Sequence, residues 1–523
     1  MSVQAGHPLD SSSVGRWFLP AFLVLLLCGL GYVAYALGNE LASAEAVPWI
    51  LLGLALLIAL GFEFVNGFHD TANAVATVIY TRSMPAELAV MWSGFFNFLG
   101  VLTSSGAVAF GILALLPVEL ILQVGSGSGL AMVFSLLLAA IIWNLGTWYL
   151  GLPASSSHTL VGSIIGVGIA NQFLAPAGTA TSGVDWSQAT SVGLSLLISP
   201  IIGFVLSAIL LVVMKFVVRN PKLYEEPKGK APPLWIRCIL IFTCTGVSFA
   251  HGSNDGQKGM GLIMLILIGL VPTAFALNRT PDINYLDAYK AASTQVESAL
   301  GKYVKPGVTV ADYKAEVGNA VKYKTWTDAT TPALQQYIHN TSAEVATYPT
   351  VNAIPTNLVG NIRNDIYLIG EALKLIDKTK LLPMDPADLQ AVTSYHKAVD
   401  NATKFIPLWV KVAVALALGL GTMVGWKRIV ITVGEKIGKT HLTYGQGAAA
   451  ELVAMVTIGA ADQLGLPVST THVLSSGVAG TMAANGSGLQ WATVRNMLMA
   501  WVLTLPASIA LAFVLFVIMR HMF

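Results

Sequence analysis

Charge is scarce in this chain. Only 11% of its 523 residues are Asp, Glu, Lys or Arg, against about 25% in ordinary soluble proteins, while 55% are hydrophobic. A water-soluble globule is excluded by that imbalance. The formal net charge is +2 and no basic stripe runs along any segment, so nucleic acid is excluded as a partner. Cysteine is nearly absent: Cys28, Cys238 and Cys244 all fall in apolar windows, and none has zinc-type spacing. They define no redox compartment. No Walker lysine or zinc-binding motif is present, and no resident cofactor is expected. Ser157 and His158 are adjacent, which makes a nucleophile–base pair between them awkward, so an enzyme is disfavoured.

What the chain has instead is long apolar runs. Windows of roughly 20 residues can cross a hydrocarbon core of about 30 Å as helices. They occur near 17–37, 48–65, 88–115, 130–151, 191–218, 234–250, 258–276, 407–425, 447–465 and 494–522. Runs of this length in lipid must satisfy their own backbone hydrogen bonds, so an all-α, polytopic membrane protein is expected. The first window contains Ala34-Tyr35-Ala36, which has the look of a cleavage site, but the run is longer than the 7–15 apolar residues of a signal peptide. A retained anchor helix is the expectation.

The charges that do exist are concentrated. Residues 277–404 hold 26 of the 56 charged residues, so this stretch reads as a soluble insert, and "VGNIRNDIYLIGEALKLIDKTK" has helical periodicity. The domain reading is then 1–47, tail and extra helix; 48–218, membrane repeat 1; 219–233, basic linker; 234–276, start of repeat 2; 277–404, helical insert; 405–523, the remainder of repeat 2. The loops near 215–237 and 427–439 are rich in Lys and Arg and are expected on the cytoplasmic side. The insert then faces the other side if 234–276 makes an odd number of crossings.

Two motifs are written twice. "LPASSSH" (152–158) returns as "LPVSTTH" (466–472), an offset of 314; "NGFHDTAN" (66–73) returns in outline as "HGSNDGQK" (251–258), with Asp70 and Asp255 matched at an offset of 185. The offsets differ by 129, almost the length of the insert. With the insert removed, both pairs share one register. That is the pattern of a secondary transporter built from two internal repeats; whether they are inverted depends on the crossings per half.

On a continuous helix, Glu63, Asn66, Asp70, Asn73 and Thr77 fall within an arc of about 80°. The matched positions in the second half are Ser248, His251, Asp255 and Lys258. Ionisable groups inside a membrane are costly and face a protein interior or an aqueous cavity. Asp70 and Asp255 are therefore expected to hold a coupling cation or accept a proton, with Asn66 and Asn73 as neutral oxygen ligands. A polar helix–helix contact is the blander account, and recurrence in both halves weighs against it. His69 either titrates near neutrality or satisfies a backbone carbonyl. Lys258 either replaces a bound metal's charge or snorkels to an interface. Gly67 and Gly252 are compatible with a broken helix or with close packing.

In the second motif a proline ends one helix and small hydroxyls open the next. Ser and Thr are favoured N-caps, and a helix start offers free N–H groups and positive dipole to an anion. Ser155, Ser156 and Ser157, with Ser469, Thr470 and Thr471, are expected to bring two such ends to one tetrahedral oxyanion near the midplane, with Ser155 and Ser469 also serving the coupling cation. His158 and His472 are expected to be structural hydrogen-bond partners. Near pH 7 phosphate keeps a proton that a carboxylate can accept as a hydrogen bond, and sulfate keeps none, so the aspartates favour phosphate.

Taken together, "NGFHDTANAVATVIYTR", "AIIWNLGTWYLGLPASSSHTLVG", "FAHGSNDGQKG", "GTMVGWKRIVITVGEKIGK" and "GLPVSTTHVLSSGVAGTM" resemble the Pit family of inorganic phosphate transporters, in its bacterial low-affinity type. The likeness covers both membrane halves and leaves out the insert and first helix. It implies a dimeric inverted-repeat carrier in the bacterial inner membrane that moves phosphate with a cation, with phosphate contacts at Asp70, Asp255, Ser156, Ser157, Thr470 and Thr471. The broader family carries G-A-N-D-V-A-N in each half. Here His69 replaces its first Asn, and Gln257 and Lys258 stand where Ala or Ser and Asn are common, which speaks against a sodium site.

The expected function is a secondary symporter of inorganic phosphate, free or as a neutral metal-phosphate complex, working by alternating access. The transported co-ion is a proton, sodium or a divalent metal, with protons favoured. The expected partners are phosphate, that cation, the lipid bilayer and a second copy of the chain. A carrier of sulfate or another oxyanion, and an ion channel, are the alternatives.

Overall fold

The computed structural model describes residues 15–42, 47–70, 72–175, 183–227, 231–279, 285–379 and 381–523; the side chains of 15–19, 72–73 and 378–379 are outside the described set. Among the described residues the chain is all-helical, with a single isolated bridge between Gly438 and Leu489. In order the helices are α1 (Gly15–Leu41), α2 (Trp49–Asp70), α3 (Ala72–Tyr80), α4 (Ala86–Thr103), α5 (Ala107–Leu113), α6 (Val118–Leu122), α7 (Gly127–Tyr149), α8 (Ser156–Phe173), α9 (Trp186–Val217), α10 (Leu234–Leu270) and α11 (Pro272–Phe275). The charged stretch forms α12 (Tyr285–Gly301), α13 (Tyr313–Tyr323), α14 (Thr330–Val345), α15 (Thr356–Thr379) and α16 (Pro386–Thr403). Then come α17 (Leu408–Thr422), α18 (Lys427–Glu435), α19 (Tyr444–Gln463), α20 (Thr470–Asn485) and α21 (Trp491–Met519).

Seven spans among the described residues are long and apolar enough to cross a membrane: α1, α2 with α3, α4, α7, α9, α10 and α21. The apolar windows in the sequence were more numerous: two of them fall on one helix, and those near 407–425 and 447–465 fall on α17 and α19, which are not among the seven. The windows 234–250 and 258–276 are one helix, α10, because its polar middle lowers hydropathy without breaking the i→i−4 ladder. The window 88–115 divides into α4 and α5. At 15 residues, α17 is about 22 Å long, shorter than a hydrocarbon core.

The packing exchanges partners across the chain. Helix α8 lies against α21, while α20 lies against α9; α10 packs on α4, while α17 packs on α2. The two longest outer helices each carry one interior proline, Pro200 in α9 and Pro506 in α21. Their outer faces are apolar and exposed, as at Leu197, Ile201 and Phe204 on α9 and Val502 and Leu503 on α21, as lipid contact requires.

Gly67 and Gly252 break no helix; both lie inside continuous ones. A Cβ at Gly67 would meet the Leu418 carbonyl oxygen of α17, and one at Gly252 would meet the backbone of Asn97 in α4. Close backbone approach of this kind is what small residues provide in membrane bundles. Gly252→Ala should therefore destabilise by about 1–3 kcal/mol through overpacking, against alanine's propensity advantage of about 1 kcal/mol. Thermal melting of the purified variant checks the sign.

Helices α12 to α16 enclose a core of their own, with Tyr289, Tyr337, Tyr395 and Ile338 buried and the Tyr289 and Tyr395 hydroxyls 2.8 Å apart. The Asn278 N–H donates to the Ala402 carbonyl at 2.8 Å, closing the neck of this unit. Lys324 reaches Asp185 of the membrane portion at 3.3 Å.

Candidate functional site

Asp70 ends α2 and Asp255 lies in the middle of α10; the start of α8 reaches both carboxylates, and the start of α20 reaches Asp70. Asp70 is buried, and its Oδ2 accepts from the Ser156 hydroxyl at 2.5 Å. Its Oδ1 accepts from the Thr471 hydroxyl at 2.9 Å and lies 2.8 Å from His69 Nδ1. Ser156 opens α8 and Thr471 lies in the first turn of α20, so residues 315 positions apart converge on one carboxylate. Ser156 Oγ is also 3.3 Å from Asp255 Oδ2. A hydroxyl has one proton, so the shorter contact marks Asp70 as its acceptor.

Asp255 has a cation instead. Lys258 Nζ lies 2.7 Å from Asp255 Oδ2, one helical turn on, and 3.4 Å from Ser156 Oγ, with the ammonium fully buried. Of the two roles open for Lys258, snorkelling is ruled out by this burial. His251 lies 3.5 Å from Asp255 through Nε2 and bonds Asn97 Oδ1 through Nδ1 at 2.8 Å. Among the described residues His69 satisfies no backbone carbonyl with its ring; its Nδ1 faces Asp70 and its Nε2 contacts Thr147 Oγ1 at 3.0 Å. An oxygen of Asp70, one of Asp255 and a ring nitrogen of His251 lie within 4.8 Å of one another, close enough to share a divalent cation.

The other expected residues divide. Ser155 and Ser469 are N-caps: their oxygens accept from the backbone N–H of His158 at 3.2 Å and of His472 at 3.1 Å. Neither hydroxyl reaches the aspartates, because the extended cap backbone turns it back on its own helix. Ser155→Ala or Ser469→Ala should cost about 1 kcal/mol in stability and leave the preference among driving cations unchanged; thermal melts and gradient-driven uptake check the two halves of that statement. Ser157 donates to the Val468 carbonyl at 2.8 Å, fastening the start of α8 to the turn before α20. The Thr470 hydroxyl is buried without a hydrogen-bond partner.

Asn66 belongs to a separate cluster. Its amide donates to Glu63 at 3.4 Å, and the Glu63 carboxylate packs against Gly259 of α10. The side chain of Asn73 lies outside the described residues. Thr77 turns to yet another partner, Glu451 of α19. The single seam expected from helical spacing is thus three contacts, since α2 ends at Asp70 and its neighbours on the helical wheel meet different helices. His158 and His472 are packing partners more than hydrogen-bond partners. Their rings lie 4.6 Å apart, His472 stacks on Trp501 at 4.2 Å, and His158 Nδ1 and His472 Nε2 have no hydrogen-bond partner.

Sequence reasoning missed Glu451, fully buried and accepting from both Thr77 and Thr243 (2.5 Å). It is one of two carboxylates in the window 447–465, and the same cost argument applied to Asp70 would have found it. It also missed Asp462, which accepts from Ser253 at 2.7 Å and Gln257 at 2.6 Å. That contact gives Gln257 a role in tying α10 to α19.

Two buried carboxylates, a buried ammonium and hydroxyls from the starts of α8 and α20 thus meet at one place among the described residues. The sequence model of the Phosphate transporter family matches residues 66–512, from the Asp70 motif into α21. The chain belongs to that family. It is 44% identical to the low-affinity inorganic phosphate transporter PitA of Escherichia coli (strain K12), over 90% of this chain and 97% of that one. PitB of the same organism is 42% identical, over 91% and 97%. The solved structure titled "The sodium-dependent phosphate transporter" matches with a TM-score of 0.50 at 21% identity, covering 91% of this chain and all of that one; this likeness bears on the fold alone. Transporter relatives and apolar spans together identify a multi-pass protein of the bacterial inner membrane, and a transporter and not an enzyme.

Proposed function

We propose that this phosphate transporter takes up inorganic phosphate by symport with a cation, protons in preference to sodium, through alternating access of two related halves. The observation that carries the choice of proton is Lys258: a fixed ammonium 2.7 Å from Asp255 occupies the ground where a sodium ion would need oxygen ligands. Asp70 and Asp255 set two carboxylates against the one ammonium of Lys258, an excess of one negative charge. Phosphate adds one or two more in a low-dielectric setting, so charge must enter with it.

The hydrogen bonds suggest how phosphate is selected. Ser156 and Thr471 donate to Asp70 here. An arriving phosphate takes those donors for its own oxygens and offers its OH to the carboxylate they leave. Sulfate, without an OH, would leave Asp70 buried against a bare anion. The exchanged packing of α8 on α21 and α20 on α9 supports two equivalent halves, with the inverted arrangement our reading of it. The basic linker 219–233 and the insert lie beyond opposite ends of the single helix α10, which supports a non-cytoplasmic insert. A second copy of the chain is the expected partner.

A second reading of the cargo is favoured by the Asp70, His251 and Asp255 grouping, whose ligand atoms suit a divalent cation travelling as a neutral metal-phosphate complex. Labelled-phosphate uptake into proteoliposomes, with pH gradient, sodium gradient and divalent metal varied one at a time, tests both. Uptake driven by a pH gradient without sodium is expected. Uptake driven by sodium alone at fixed pH and potential overturns proton coupling, and uptake that needs divalent metal selects the complex.

A further inference from the structure

The insert contains an anomaly. Five of its lysines pair with its own carboxylates: Lys302 with Asp388, Lys305 with Asp328, Lys314 with Asp365, Lys374 with Glu371 and Lys404 with Asp400. Arg363 of α15 is far more buried than any of these, at 5% exposed, and among the described residues it pairs with no carboxylate. Its Nη1 donates to the neutral Asn364 Oδ1 at 3.1 Å, its guanidinium lies 4.8 Å from the Tyr367 ring centre, and its Nε has no hydrogen-bond partner. Burial pushes the guanidinium below its ordinary value, the mark of a charge held away from water. A guanidinium stays charged in proteins, and a buried charge lacking a counter-ion is strongly unfavourable.

Beside Arg363 is a cavity of about 50 Å³, where α15 meets the ends of α5 and α10. Lys374 and Lys404 also line it, with Glu371 as its one carboxylate. The space suits a few waters or one small tetrahedral anion. A planar guanidinium with an unused N–H is the side chain best shaped to grip phosphate oxygens. On α10 the cavity is bounded by Met264 and Ile268, about 9–15 Å along the helix from Lys258.

We propose that Arg363 is the centre of a second phosphate-group site, at the seam between the insert and the membrane helices, which takes either free inorganic phosphate or the phosphodiester of a lipid. It is separate from the site at Asp70 and does not depend on which cation drives uptake.

The test uses full-length protein in which Asp70→Asn silences the central site. Equilibrium binding of labelled inorganic phosphate is measured with and without Arg363→Gln, and retained phospholipid is measured by native mass spectrometry on the same preparations. Arg363→Lys keeps the charge and serves as the folding control. If the occupant is free phosphate, Arg363→Gln weakens residual phosphate binding at least tenfold and Arg363→Lys weakens it less. If it is a lipid, Arg363→Gln loses the retained phospholipid instead. The proposal is overturned if Arg363→Gln is folded and changes neither, or if the Asp70→Asn protein binds no phosphate and retains no lipid in the presence of Arg363.

Discussion

Asp70→Asn should reduce labelled-phosphate uptake roughly 100-fold, the equivalent of about 3 kcal/mol, while the protein still folds and inserts. The replacement has the same shape. Its carbonyl oxygen can still accept from Ser156, which donates at 2.5 Å, or from Thr471, at 2.9 Å. What it lacks is a full negative charge to accept the phosphate OH once those hydroxyls have moved to the substrate. The amide also presents an NH₂ where the carboxylate had a second acceptor, opposite His69 Nδ1 at 2.8 Å. Gel-filtration profile and melting temperature close to the parent, with uptake lost, is the expected pair of results. Uptake within twofold of the parent would remove Asp70 from the mechanism.

Lys258→Met carries the largest expected effect on stability. The ammonium is the close counter-charge of Asp255, at 2.7 Å, and both groups are buried. Removing one member of a buried ion pair costs about 3–5 kcal/mol, because the other is left without compensation. His251, at 3.5 Å from Asp255, offers only partial relief. The single variant should therefore express poorly or melt well below the parent. Adding Asp255→Asn should recover most of that loss, since the partner of the lost ammonium is then uncharged, yet uptake should stay absent. A double variant no more stable than Lys258→Met would mean the ion pair is not what the methionine disrupts. Thermal melts of the parent, the two single variants and the double variant form the cycle that measures this coupling.

The membrane character and both motifs could be read from the sequence because hydropathy and exact repetition survive without coordinates. The convergence of Asp70, Asp255, Ser156 and Thr471 was foreseeable from matched offsets. Helical-wheel reasoning failed where it assumed one continuous helix and one neighbour: Asn66 serves Glu63, and Thr77 serves Glu451. For Ser155 and Ser469, residue type gives the cap preference but not which of three consecutive hydroxyls becomes the cap. Glu451 and Asp462 escaped notice because each is a single carboxylate without a repeated motif around it. Helical spacing puts Lys258 one turn from Asp255 but cannot say whether its stem leads inward or to the membrane surface, so both roles stay open in the sequence.

The central claim is that helix starts from both halves serve one phosphate. Its most direct test is concentration-dependent exchange of labelled phosphate by purified protein in liposomes, comparing the parent with Ser156→Ala and Thr471→Val. Each variant should raise the half-saturating phosphate concentration about tenfold, the effect of one hydrogen bond to a charged group. If one variant weakens phosphate and the other exchanges like the parent, α8 and α20 do not share a substrate, and the two-sided site is wrong.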